Sequence, residues 1–232
     1  MREKLVEAAR DLRYLLDRGY RRERVLDIIV ERYMLNSKER SALYRCIHSA
    51  SEALEVVRKL VLTCKRLAVD LFNCLITAIA IVKGEEVYVC DDCLVRDVRG
   101  SKIRRSDEPY LPIAMELVAK AIHLASPLSV AIVAERQVSN SAVYAHTLAK
   151  SLGLHSLIAI VDRVDTYLTG LCRDGYAVAT TDIVVVRECD SVYPLTSIVL
   201  ALAKRVPTID FSMALRSPCP VPTLTHRGNE LV

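Results

Sequence analysis

Residues Leu67-Ala68-Val69-Asp70-Leu71-Phe72-Asn73 mark the point where the grammar of the chain changes. Three apolar residues end on an aspartate, and a helical run over residues 72–82 comes next, closed by Gly84. A short apolar strand leading into a helix is the repeating unit of a parallel sheet with crossover connections. The unit recurs downstream. Residues 86–90 read as a strand, with 94–95 as the return arm of a hairpin, and Pro112 opens a helix over 113–125. A strand at 129–134, a helix at 141–152, strands at 155–161 and 177–180, a helix at 194–204 and a strand at 206–209 complete the series. The run Ile183-Val184-Val185-Val186 fits a strand by composition and a short helix by chain order. Beyond Ser217, three prolines in five residues predict extended chain. The expectation is a three-layer α/β/α domain with a mainly parallel sheet over residues 63–232.

Residues 1–62 read as a small all-α helical module. Leu5, Ala9, Leu12 and Leu16 recur at helical spacing before Gly19, and Val25, Ile29 and Tyr33 form a second stripe. Asn36 with Glu39, and Ser49 with Glu52, have the spacing of capping boxes opening two more helices. The net charge is +4, and residues 1–60 hold all of the excess, with 14 Lys/Arg against 10 Asp/Glu. Arg18, Arg21, Arg22 and Arg24 cluster at the first turn, a face that can meet nucleic-acid phosphates. A helix-turn-helix reader and an ordinary solvated helix face both fit that cluster.

Hydrophobic residues make up 52% of the chain and charged residues 26%, enough to fill a core and to exclude a disordered or collagen-like chain. No apolar run has the length of a membrane span, so a membrane partner is not expected. Met1-Arg2-Glu3-Lys4 runs into an amphipathic pattern rather than the apolar stretch of a signal peptide, so a cytoplasmic location is expected. Eight cysteines in such a chain are expected to be mostly reduced thiols. The pair Cys90-Asp-Asp-Cys93 lacks the second pair a closed zinc site needs. A disulfide, a metal and free thiols stay open there.

The chemistry lies at the strand ends. Asp70, the pair Asp91 and Asp92, Asp162 with Asp165 three residues on, and Asp182 each come directly after a predicted strand. In an open parallel sheet such ends share one edge, where these folds place their ligands. Carboxylates gathered there repel one another until a divalent cation sits between them, and all-oxygen donors suit Mg²⁺ or Mn²⁺. Each aspartate can instead cap the helix after it with no metal present. Asn73, one helical turn past Asp70, and Asn140 add neutral donors at the same edge. Arg96, Arg99, Lys102, Arg104 and Arg105 form a basic loop that, with Arg21 and Arg22, can grip a phosphodiester backbone. No GxGxxG, GxxxxGK[ST] or HExxH motif is present.

The opening Ala8-Ala-Arg-Asp-Leu-Arg-Tyr-Leu-Leu-Asp-Arg-Gly-Tyr20, with Arg32-Tyr33 and Glu39-Arg40, resembles an uncharacterised, largely archaeal family. The second half is similar to the PIN-like (NYN-type, Rossmannoid) nuclease fold. Asp70-Leu-Phe-Asn73, Cys90-Asp-Asp-Cys-Leu-Val-Arg-Asp-Val-Arg-Gly100, Val138-Ser-Asn-Ser141 and Ala179-Thr-Thr-Asp182 carry the likeness. Leu71 departs from it, standing where glycine is usual. The resemblance implies metal-dependent cleavage of nucleic acid, with Asp70, Asp92 and Asp182 as metal ligands and Asn73 and Asn140 as orienting residues. The expected function is therefore a Mg²⁺- or Mn²⁺-dependent ribonuclease or structure-specific nuclease, with RNA expected ahead of DNA as the substrate. The alternative is a non-catalytic nucleic-acid-binding or regulatory protein that keeps the fold. The apolar segment 194–204 offers a surface for a homodimer.

Overall fold

The computed structural model describes residues 2–99 and 103–220. Four helices come first: α1 (Arg2–Asp17), α2 (Arg22–Arg32), α3 (Ser37–Cys46) and α4 (Ala50–Lys59). The last two open on complete capping boxes. The Asn36 side chain accepts from the Lys38 and Glu39 amides while Glu39 accepts in return from the Asn36 amide, and Ser49 and Glu52 repeat the exchange. Gly19 takes a positive φ of 78°, so α1 ends where a side chain is hardest to accommodate.

The principal sheet has the strand order β5-β4-β1-β6, where β1 is Arg66–Asp70, β4 Ser129–Glu135, β5 Ser156–Val161 and β6 Ala177–Ala179. Every pairing in it is parallel, with Val69 opposite both Ile132 and Ala179. Alternation along the strands sends residues to two cores. Leu67, Val69, Val130 and Ile132 join α5 (Leu71–Lys83), α6 (Leu111–Leu124) and α10 (Leu195–Leu202) on one face. Ala68, Ala131 and Val133 meet α8 (Val164–Arg173) and α9 (Ile183–Glu188) on the other. The sheet is thus covered on both sides, which explains strands that are apolar throughout. Helix α7 (Ser141–Leu152) carries the chain from β4 to β5.

Residues 86–90 depart from the expected single sheet. The strand there, β2 (Val87–Val89), pairs antiparallel with β3 (Val95–Asp97) and parallel with β7 (Ile209–Asp210), making a second sheet of order β3-β2-β7. Tyr88 and Cys90 turn into the core of the helical module, with Leu12, Leu26 and Leu43, and the Tyr88 ring stacks on Phe211 at 5.9 Å. With both edges taken and its side chains packed on the helices, β2 has no free edge for the principal sheet. One face of the small sheet therefore shares a core with α1, α2 and α3, while α4 sends Val56 into the core beneath α8 and α9.

Three further expectations resolve. Residues 183–186 are helical, because the Asp182 side chain accepts from the Val184 amide at 2.9 Å and caps α9. Helix α10 packs against α5 and α6 with Leu195, Val199 and Leu200 buried, so one side of that apolar segment belongs to the chain's own core while Leu202 stays partly exposed. Cys93 is bonded to Cys219 rather than to Cys90, which lies buried and free, and a second disulfide joins Cys172 to Cys189. Among the described residues no helix is long and apolar enough to cross a membrane.

The Cys172–Cys189 bond closes a loop of sequence separation 17 between α8 and the end of α9. Loop-closure entropy puts its contribution at about 3 kcal/mol. Replacing both cysteines by serine should lower the denaturant-derived unfolding free energy by that order, measured against the oxidised wild type. An unchanged midpoint would show that the bond constrains nothing.

Candidate functional site

Strand β1 is where sheet growth reverses. The chain adds β4 and β5 on one side of it and β6 on the other. Open α/β sheets bind ligands outside the carboxyl ends of their strands at such a reversal. Asp70 ends β1, and Thr180-Thr181-Asp182 comes after β6 beside it. A cleft of about 460 Å³ opens there, walled by Asp70, Asp97, Glu135, Asp162, Asp165 and Asp182 together with the cations Arg45, Arg99 and Arg163.

Local bonding fixes the floor. Thr180 Oγ1 donates to Asp70 Oδ2 at 2.9 Å, and the Asn73 amide donates to Asp70 Oδ1 at 3.3 Å. Asn73 Oδ1 accepts from both the amide and the hydroxyl of Thr181, at 2.8 and 2.9 Å. These bonds lock the end of β1, the first turn of α5 and the turn after β6 to one another. The Asn73 side chain is thereby oriented with its oxygen inward.

The charge balance is unusual. Asp70 is only 9% exposed, and burial, reinforced by the negative charges of Asp182 and Asp165, pushes its carboxyl up to about 7 against the lowering bonds from Thr180 and Asn73. Asp165 is shifted in the same direction, by partial desolvation and by Asp182. A carboxyl poised near neutrality inside a cleft is a mark of functional sites. Among the described residues no group of three or more His, Cys, Asp or Glu converges closely enough to form a ready-made metal cage. The donor set fits the looser mode of Mg²⁺, which takes one or two carboxylates and keeps several waters.

Of the residues singled out from the sequence, Asp70, Asn73, Asp162 and Asp182 come together here. Asp162 sits at the rim, exposed and paired with Arg136 at 3.1 Å. Asp91 and Asp92 do not reach the cleft, because β2 belongs to the other sheet. Asp91 is fully buried against Arg13 and His48, and Asp92 makes a two-point ion pair with Arg96 at 2.6 and 2.8 Å. Asn140 stands exposed in a left-handed turn before α7 (φ 61°), away from the cleft wall.

The expected basic loop divides in the same way. Arg96 and Arg99 are buried and paired, Arg96 with Asp92 and Arg99 with Asp107, although Arg99 also lines the cleft. A second cavity of about 450 Å³ lies beside the first, and Arg22 lines it. Tyr44, Arg45 and His48 of the helical module wall that cavity together with Arg187, and it shares Arg45, Asn73, Thr181 and Asp182 with the first. Arg104 and Arg105 are exposed away from both cavities, as is Arg21, and Lys102 lies outside the described residues.

Sequence reasoning missed Arg45, Asp97, Glu135 and the two threonines as participants. Thr180 and Thr181 lie within the motif Ala179-Thr-Thr-Asp182, so a signal existed. Arg45 sits on α3, far from β1 in the chain, with nothing local to mark it.

The fold and cleft define the class: an α/β protein with a carboxylate-lined pocket at the carboxyl edge of a parallel sheet. The chain belongs to the family described as a domain of unknown function (DUF5616), whose model matches residues 59–198. A second family model, protein of unknown function (DUF434), matches residues 4–59. The chain is 26% identical over 189 residues to the uncharacterized protein MJ0935 of the archaeon Methanocaldococcus jannaschii, covering 78% of this chain and 88% of that protein. No solved structure matches.

Because the folded-state value of Asp70 lies above its ordinary 3.8, folding favours the protonated form. That stabilisation is complete below about pH 4 and is lost as pH rises through 7. Asp70→Asn should therefore be more stable than wild type at pH 8, by roughly 2–4 kcal/mol, with the difference closing towards pH 4. Denaturant unfolding at both pH values measures it, and a variant less stable at pH 8 would refute the assignment.

Proposed function

We propose that the chain hydrolyses phosphodiester bonds in nucleic acid, RNA in preference to DNA, with Mg²⁺ or Mn²⁺, on a PIN-like version of its parallel sheet. The observation that carries this reading is that Asp70, Asp165 and Asp182 line one cleft at the sheet's point of reversal, where burial, reinforced by the charges of Asp182 and Asp165, raises the Asp70 carboxyl to about 7. Such a set holds either a proton or a cation, and Asp70 and Asp182 are the residues that would hold the metal. When bound, the ion would neutralise charge on the phosphate and sharpen an attacking water.

The chain's own groups supply the remainder. The Asn73 side-chain oxygen is occupied by Thr181, which leaves its NH₂ to donate to a phosphate oxygen. Arg45, its side chain 44% exposed and lining both cavities, can take a second phosphate oxygen. Asp165, which lines the same cleft and whose carboxyl is raised by partial burial and by Asp182, can accept the proton of the attacking water. The second cavity, with Arg22, Arg187 and the exposed ring of Tyr44, offers a path for the strand leading to Asp182.

Cleavage of labelled single-stranded RNA and DNA with Mn²⁺ and with EDTA tests the proposal. Wild type should cut only with the metal, and Asp70→Asn or Asp182→Asn should lose on the order of 100-fold or more in rate. Mn²⁺ should also raise the melting temperature of wild type and not of Asp70→Asn. Equal cutting by variant and wild type would remove the enzyme claim, and binding without cutting would favour a non-catalytic nucleic-acid-binding role.

A further inference from the structure

We propose that His48, held by Asp91, donates the proton to the leaving oxygen of the phosphodiester, acting from the second cavity; this rests on the phosphodiesterase reading above. His48 lies between α3 and α4, on the helical module, and its environment is fully specified. Nδ1 meets Asp91 Oδ1 at 2.7 Å, and the His48 backbone amide donates to Asp91 Oδ2 at 2.6 Å. Arg13 closes the arrangement, donating from Nη2 to Asp91 Oδ2 at 2.5 Å and from Nε to the His48 carbonyl at 3.3 Å. Asp91 is 0% exposed and His48 2% exposed.

This bonding sets the tautomer. Asp91 Oδ1 accepts the Nδ1 proton while Oδ2 is taken by Arg13 and the His48 amide, so the working edge of the ring is Nε2. Among the described residues nothing hydrogen-bonds to Nε2, yet it is not a sealed, unsatisfied atom. His48 is a wall of the cavity that also holds Asp182, Asn73 and Arg45. A brace between the helices and the small sheet needs only Arg13, Asp91 and the backbone amide. An imidazole that keeps its second nitrogen unbonded among the described residues, at the wall of a cavity beside the acidic cleft, is additional to that need. The charges around it are Glu23, Asp91, Asp92 and Asp182 against Arg13, Arg22, Arg45, Arg96 and Arg187.

The step balances with groups already placed. Water oxygen bonds to phosphorus and gives its proton to the Asp165 carboxylate. The ester P–O bond breaks, its electron pair goes to the leaving oxygen, and that oxygen takes the Nε2 proton of the imidazolium. Asp91 stabilises the imidazolium before transfer, and neutral His48 and protonated Asp165 return to their starting forms by exchange with solvent.

The test turns on leaving-group dependence, which a structural brace would not affect. The full chain with Mn²⁺ is assayed on single-stranded RNA, whose alkoxide leaves poorly, and on bis(p-nitrophenyl) phosphate, whose phenolate needs no proton. His48→Gln should lose on the order of 10²- to 10⁴-fold on RNA, the usual range for a general acid, and keep most of its rate on the activated diester. Equal losses on both substrates overturn the proposal. Should His48→Gln fail to fold, wild type decides. Its rate on RNA should show a larger solvent deuterium isotope effect than its rate on the activated diester, because the leaving oxygen takes a proton in transit only on RNA, and equal effects overturn the assignment. Wild type inactive on both substrates would instead overturn the phosphodiesterase reading itself.

Discussion

A buried ion pair, Asp92 with Arg96, keeps the two sheets in working relation. Arg96 gives two nitrogens to the Asp92 carboxylate, and its third, Nε, donates to the Thr181 carbonyl at 3.0 Å. Burial alone pushes Asp92 up and Arg96 down, but each charge holds the other ionised, so Asp92 falls below its ordinary value and Arg96 rises above its own. Both groups are nearly inaccessible to solvent. Such a pair adds little net stability against apolar residues of the same volume, yet removing one partner alone costs about 3–5 kcal/mol. Its value here is positional. It fixes the turn that presents Thr180, Thr181 and Asp182 to Asp70, using a hairpin that belongs to the other sheet.

Much of this was legible from local pattern. The capping boxes at Asn36 and Ser49, the strand-helix alternation from Arg66 onwards and the convergence of Asp70, Asn73, Asp162 and Asp182 all rest on short-range signals. The errors share one physical cause. A strand ending in aspartates looks the same whichever sheet it joins, and β2, three residues long, takes its partners from positions up to 210. Asp91 and Asp92 were therefore expected beside Asp70, whereas their partners Arg13 and Arg96 neutralise them elsewhere. The partnership of Arg13 with Asp91 spans 78 positions, a distance at which a single sequence carries no pairing information. Arg45 was invisible for the same reason.

The acidic edge sets function against stability. A buried carboxyl near two like charges lowers the stability of the folded chain at neutral pH, and Thr180 and Asn73 offset only part of that cost. Folding alone would favour an asparagine at position 70. Retaining an aspartate at the point where the sheet reverses, with no cation of the chain hydrogen-bonded to it among the described residues, breaks a local rule at the place where functional sites are expected to break it. Asp91, Asp92 and Asp107 are the contrast, since each carboxylate has an arginine of its own.

The helical segment and the α/β segment match separate family models that meet at residue 59, but the physics does not divide there. Leu12, Leu26 and Leu43 share a core with Tyr88, Cys90, Ile209 and Phe211, so removing the helices would expose one face of the small sheet. It would also strip Arg13 from Asp91 and leave a buried carboxylate without its cation. The same contacts place Arg45 and His48 on the walls of the cavities that meet at Asp182. A segment that completes the core, neutralises a buried charge and walls the cavities is part of the site's construction.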